Sequence, residues 1–213
     1  MILILYKITR FLLYPIIYLA DSIQNNLTNF FTPMNMGPVA EDSYAKFIKE
    51  NLKHDDYILD FGCGAGFFSK LFKKKNYLGV EVNKNFILSA KKKYRGYNFK
   101  LLDQKCLDDY RNKISLVFIN NVLHHLTDQE IKNTFLLFKK KLKPNTKIFI
   151  IEPVLPKSFF SLEFLMKVID IGDNIKTKKD YLKILNLCFG IKTKKIKEVG
   201  IGHVLVLKGF LKK

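Results

Sequence analysis

Asp60, Gly62, Gly64 and Gly66 alternate within "YILDFGCGAGFFS", and two more carboxylates, Glu81 and Asp103, follow at intervals of 21 and 22 residues (60 to 81, 81 to 103). Alternate glycines leave backbone N–H groups uncovered and let a ligand approach the chain closely. Carboxylates accept hydrogen bonds from hydroxyl and amine groups, so this set suits a ligand carrying such donors better than one carrying phosphates. Downstream, "NNVLHH" places Asn120 and Asn121 just before two imidazoles, His124 and His125. Imidazole titrates near neutral pH and can take or give a proton beside a bound molecule.

The glycine spacing separates ligands. A dinucleotide fingerprint, G-x-G-x-x-G, would need its third glycine at Phe67, whereas it falls one place early at Gly66. A phosphate loop would need a Lys-Ser or Lys-Thr pair, which does not follow. Cys63, Cys106 and Cys188 are odd in number and have no C-x-x-C spacing, so the sequence suggests neither a disulfide framework nor a metal site. A reducing, cytoplasmic setting is expected, with association at the inner membrane surface as a variant of it.

The elements that must position these residues follow from periodicity. Short apolar runs at 57–61, 77–82, 97–102, 114–120, 147–151, 191–199 and 203–210 read as strands. The early runs are continuously apolar, as in strands buried on both faces. Between them, helical spacing predicts helices at about 40–53, 66–75, 84–95, 128–142 and 178–188, and a further one at about 158–170. Thr127 with Glu130, and Thr177 with Asp180, have capping-box spacing. This alternation predicts an α/β fold with helices covering both faces of a mainly parallel sheet. The acids then lie at the ends of consecutive strand–helix units, along one rim beside the glycine turn.

On these residues the chain resembles the class I S-adenosylmethionine-dependent methyltransferases over about 55–210. "LDFGCGAGFFS", "YLGVEVN", "FKLLDQ", "LVFINNVLHHLTD" and "LKPNTKIFIIEP" are similar to the family's successive motifs. The resemblance implies a Rossmann-like seven-stranded, mostly parallel sheet with an antiparallel last strand. It implies S-adenosylmethionine as cofactor, held by Asp60, Gly62, Cys63, Gly64, Gly66, Glu81, Val82, Asp103, Gln104, Asn120 and Asn121. In it, Glu81 takes the ribose hydroxyls and Asp103 the adenine amine. His125, or its neighbour His124, becomes the candidate base for a hydroxyl or activated-carbon acceptor. Glu152 is expected to face the acceptor or, more simply, to close a turn with Pro153. No Asn/Asp-Pro-Pro-aromatic stretch follows the fourth strand, which points away from methylation of base amines or glutamine.

Charge widens the choice of acceptor. The 213 residues carry a net charge of +18, which attracts polyanions at long range. Yet only Arg10, Arg95 and Arg111 are arginine, and nucleic-acid readers usually exploit the arginine fork. A small-molecule or lipid-like acceptor, methylated on oxygen or carbon, is the leading expectation. RNA or protein methylation, and a catalytically silent membrane-surface scaffold, are the alternatives. Residues 1–38 are read as an apolar helical extension and 39–213 as the catalytic domain, with an insertion at about 153–176. Lys7, Arg10 and Pro15 interrupt the apolar run of residues 1–20, so it reads either as a lid over the domain or as an anchor lying on an anionic membrane surface.

Overall fold

The computed structural model describes residues 2–12, 45–50, 52, 55–103, 105–156, 174–199 and 202–212. The helix expected at 158–170 and most of the stretch 1–38 lie outside the described residues.

Seven strands form one sheet: β1 (Ile58–Phe61), β2 (Tyr77–Glu81), β3 (Asn98–Leu101), β4 (Leu116–Asn120), β5 (Lys147–Pro153), β6 (Phe189–Val199) and β7 (Gly202–Leu211), in the order β3-β2-β1-β4-β5-β7-β6. Neighbours from β3 through β5 pair in parallel, while β7 runs antiparallel to both β5 and β6. The mostly parallel sheet with an antiparallel last strand is thus as expected. The chain order reverses between β1 and β4, and in open α/β sheets that switch point opens a crevice at the strands' carboxyl ends.

Alternation along each strand divides the core in two. Leu59, Phe61, Val80, Val117 and Ile119 face one side, where α3 (Asp128–Lys141) and α4 (Lys178–Cys188) cover them with Phe135, Phe138, Tyr181 and Leu185. Ile58, Tyr77, Phe118, Phe149 and Ile151 face the other side, beneath Ile87 and Ala90 of α2 (Lys84–Lys93) and Ile48 from the helical stretch at 45–50. Helix starts follow local chemistry. Asn83 accepts from the amides of Asn85 and Phe86, and Thr127 forms a full capping box with Glu130. Thr177 accepts from the Asp180 amide, while the shorter Asp180 reaches only the Thr177 hydroxyl.

One expected helix is replaced. Residues 66–75 form two 3₁₀ turns, Phe67–Leu71 and Lys74–Asn76, separated by extended backbone at Phe72. Phe72 stacks on Tyr77 and meets Phe118 edge-on, and this packing takes its backbone out of the helix that the lysine-rich periodicity suggests.

At the N-terminus, α1 (Ile2–Leu12) packs its Tyr6 against Leu155 and Ile175, with Ile2, Leu3 and Leu5 around them.

Candidate functional site

The sheet order places the three acids in sequence along one rim: Asp103 just past β3, Glu81 ending β2, and Asp60 within β1 before the glycine turn. Glu81 organises that rim. Its Oε2 accepts from the Gly64 amide at 3.1 Å, and its Oε1 accepts from the amides of Val82 at 2.7 Å and Asn83 at 3.0 Å. Asp103 is exposed, and its Oδ1 accepts from the Lys105 and Cys106 amides in a tight turn. Gln104, between them in the sequence, lies outside the described residues.

The turn's three glycines all have positive φ, but for different reasons. A Cβ on Gly62 would lie 2.5 Å from Val122 Cγ2, and one on Gly66 would lie 2.8 Å from Phe99 and 3.0 Å from Ala90. Packing of the protein against itself accounts for those two. A Cβ on Gly64 would meet nothing within 4 Å. The bare backbone at Gly64, held by Glu81, therefore faces open space at the crevice, as a cradle for a ligand would. The segment after the turn is a five-residue 3₁₀ helix, too short for the aligned dipole that favours phosphate.

Two apolar side chains stand beside the carboxylates: Val82 is 70% exposed, and Leu101, the register partner of Glu81, is also exposed. Each offers exposed apolar surface suited to the face of a flat ring. Leu101 was not apparent from the sequence, because its exposure depends on β3 being the sheet's outer strand.

Asp60 is buried, and its Oδ2 accepts a hydrogen bond from the Tyr77 hydroxyl at 2.7 Å. Burial pushes its carboxyl up to about 7; the Tyr77 bond opposes this and the nearby Glu81 adds to it. Cys63 lies between Asp60 and Glu81, with its Sγ packed where a side chain on Gly79 would project. Burial and these two acids push its thiol well up, so Cys63 is a packing residue and not a nucleophile.

Across the switch point, the loop after β4 is built around Glu152. This side chain, 0% exposed, accepts from the amides of Val122 and Leu123 at 2.7 Å and of His124 at 3.3 Å. Its Oε2 also lies 2.9 Å from His124 Nδ1. The expected turn closure by Glu152 with Pro153 does not occur: both residues continue β5 and pair with β7, and the carboxylate closes the neighbouring loop instead. The only sequence signal was a lone acid in the apolar run "IFIIEP".

The two histidines divide their work. His124 is buried and held by Glu152; His125 is exposed, with ring centroids 4.1 Å apart. Asn120 is buried at the end of β4, and Asn121, at φ 55°, donates its amide to Ile151 O. Asn174 donates its amide to His124 O, and Lys176 Nζ donates to Leu126 O and Asn174 O, which ties the end of the insertion to this loop.

Residues 59–148 match the family model described as a methyltransferase domain. Over that span, 90 of the 213 residues, the chain is similar to methyltransferase domains, and its fold is the one seen in S-adenosylmethionine-dependent methyltransferases of known structure. A methyltransferase of this kind from Methanosarcina mazei is 19% identical, with 78% of this chain and 97% of that one covered, at a TM-score of 0.62. A protein from Pyrococcus horikoshii is also 19% identical, covering 86% and 95%, at 0.65. Human N-acetylserotonin methyltransferase, solved with S-adenosylmethionine, is 17% identical, covering 78% and 51%, at 0.59. At such identities the likeness is one of fold. No curated protein sequence matches the chain.

The rim fits S-adenosylmethionine on the structure's own terms: an open cradle at Gly64, carboxylates for hydroxyl and amine donors, and exposed apolar surface at Val82 and at Leu101. Gly64→Ala is expected to cost about 1 kcal/mol of stability, from its left-handed backbone, yet to weaken S-adenosylmethionine binding. Denaturation and calorimetric titration of the same preparation check this. Equal affinity in the variant would show that the open space is not the binding cradle.

Proposed function

We propose that the protein transfers a methyl group from S-adenosylmethionine to oxygen or carbon of a small-molecule or lipid-like acceptor. The observation that carries this reading is the Gly64–Glu81 cradle, across the β1/β4 switch point from the exposed imidazole of His125. When bound, the cofactor supplies an electrophilic methyl on a sulfonium. Glu81 is assigned the ribose hydroxyls, Asp103 the adenine amine, and Val82 with Leu101 the adenine face. Asn120 and Asn121 contribute to the cleft through the backbone at the end of β4. In-line displacement needs an acceptor lone pair held behind the methyl with water excluded. His125 is assigned to take the acceptor's proton, and His124, clamped by Glu152, positions it.

The scarcity of arginine and the imidazole-bearing loop support a small acceptor over RNA or protein. So does the human relative, which is named for methylating N-acetylserotonin.

Glu81→Ala is expected to weaken S-adenosylmethionine binding by about 2–4 kcal/mol, through two lost charge-assisted contacts. Unchanged affinity by calorimetry would remove Glu81 from the ribose. A screen of quinone, lipid and sugar acceptors with labelled cofactor then identifies the acceptor class. On the acceptor found, His125→Ala is expected to lower turnover about 100-fold while leaving cofactor affinity intact. Equal turnover across pH would dismiss it as the base.

A further inference from the structure

Helix α1 is apolar on two faces. Tyr6, 1% exposed, docks on Leu155 and Ile175, so the helix already has its seat on the domain. Ile4, Ile8, Phe11 and Leu12 nevertheless remain 63%, 53%, 79% and 69% exposed. They recur at i, i+4, i+7 and i+8, which places them in one continuous stripe along the helix. Four large apolar side chains facing outward from a docked helix are not accounted for by a lid, whose apolar face would be the buried one.

Charge identifies what meets the stripe. Lys7 is exposed, one turn from both Leu3 and Phe11, and so lies along the stripe's edge. It also lines a cavity of about 360 Å³ between α1, α3 and α4, together with Lys132 and Lys183. Asp128 and Asp180 share that cavity, and the net charge of the whole chain is +18. An apolar stripe with Lys7 at its edge, on a chain this basic, is complementary to a bilayer whose surface is anionic: the apolar side chains enter the headgroup boundary and the ammonium group meets phosphates. The sequence beyond Leu12, "LYPIIYLA", continues apolar with two tyrosines, residues enriched at membrane interfaces. Among the described residues no helix is long and apolar enough to cross a membrane.

We propose that α1 seats the protein on an anionic lipid surface through Ile4, Ile8, Phe11 and Leu12, with Lys7 contacting headgroups. This inference does not rest on the acceptor assignment, although such a seat would suit an acceptor dissolved in lipid.

The test is co-sedimentation of the full chain with vesicles of phosphatidylcholine alone, or of phosphatidylcholine with about one-third phosphatidylglycerol. Binding to the anionic vesicles is expected, falling at least tenfold in Ile4→Ser/Ile8→Ser/Phe11→Ser/Leu12→Ser and falling also in Lys7→Glu. Raising salt to about 0.5 M should weaken the wild type, since it screens the lysines. Because the serine positions are exposed, that variant should keep the wild-type melting temperature and cofactor affinity. No binding to anionic vesicles, or binding that the serine variant leaves unchanged, overturns the proposal. So does a wild type that sediments as a dimer which the serine variant dissociates without any vesicle binding, since the stripe would then meet a second copy. Inorganic phosphate that competes as well as vesicles do, with the serine variant unaffected, would reduce the site to simple anion binding.

Discussion

Glu152→Ala is expected to lower the free energy of unfolding by about 3–5 kcal/mol, the range for breaking a buried, charged hydrogen-bonded group. The substitution removes a carboxylate with no solvent exposure and leaves the amides of Val122, Leu123 and His124 without their acceptor. It also frees the His124 ring, and with it the platform beneath His125. Denaturant titration gives the stability change directly. Glu152→Gln separates the causes: its one carbonyl oxygen can still accept, but its amide nitrogen faces donors, so an intermediate loss is expected. A change below about 1 kcal/mol for alanine would mean that water replaces the carboxylate, and the loop would not depend on Glu152.

The second large effect is a dependence of stability on pH set by Asp60. Its carboxyl is raised from 3.8 to about 7 in the folded protein, first by burial, with Tyr77 opposing and Glu81 adding to the shift. Between these values the folded chain holds a proton that the unfolded chain has lost. Stability from this group is therefore fully present below about pH 4 and is lost as pH rises through 7. At 1.36 kcal/mol per pH unit, the loss amounts to about 4 kcal/mol. Asp60→Asn keeps an oxygen for the Tyr77 hydroxyl but cannot ionise. Its stability relative to wild type should accordingly rise from pH 4 to pH 8 by an amount of that order. Parallel stability profiles for the two proteins would place the ionised carboxylate in a better-solvated site than its burial indicates.

The rim was readable because each acid sits at or beside a strand's carboxyl end, where strand-to-turn chemistry is local. Asp60, Glu81 and Asp103 recur with the strand–helix unit, and a parallel sheet turns that repeat into adjacency. The capping residues Asn83, Thr127 and Thr177 act within four residues of themselves, so two of them, Thr127 and Thr177, were legible from spacing alone. Relations between distant elements were not. The Tyr77 hydroxyl meets Asp60 only because β2 lies beside β1 in one register. Glu152 reaches the β4 loop only because β5 is the next strand over.

The positions of the strands along the chain, the glycine turn and the spacing of the carboxylates thus followed from sequence-local rules: hydrophobic period, turn chemistry and fixed repeat. Tertiary packing decided the rest. It converted the helix expected at 66–75 into 3₁₀ turns around Phe72, because filling the core with that ring outweighs helical propensity. It separated His124 from His125 by burying one and exposing its neighbour. It chose which apolar face of α1 docks and which stays outside, a choice invisible in a run of residues apolar on both sides. The physical reason is common to all three: burial is a property of what comes from elsewhere in the chain to cover a residue.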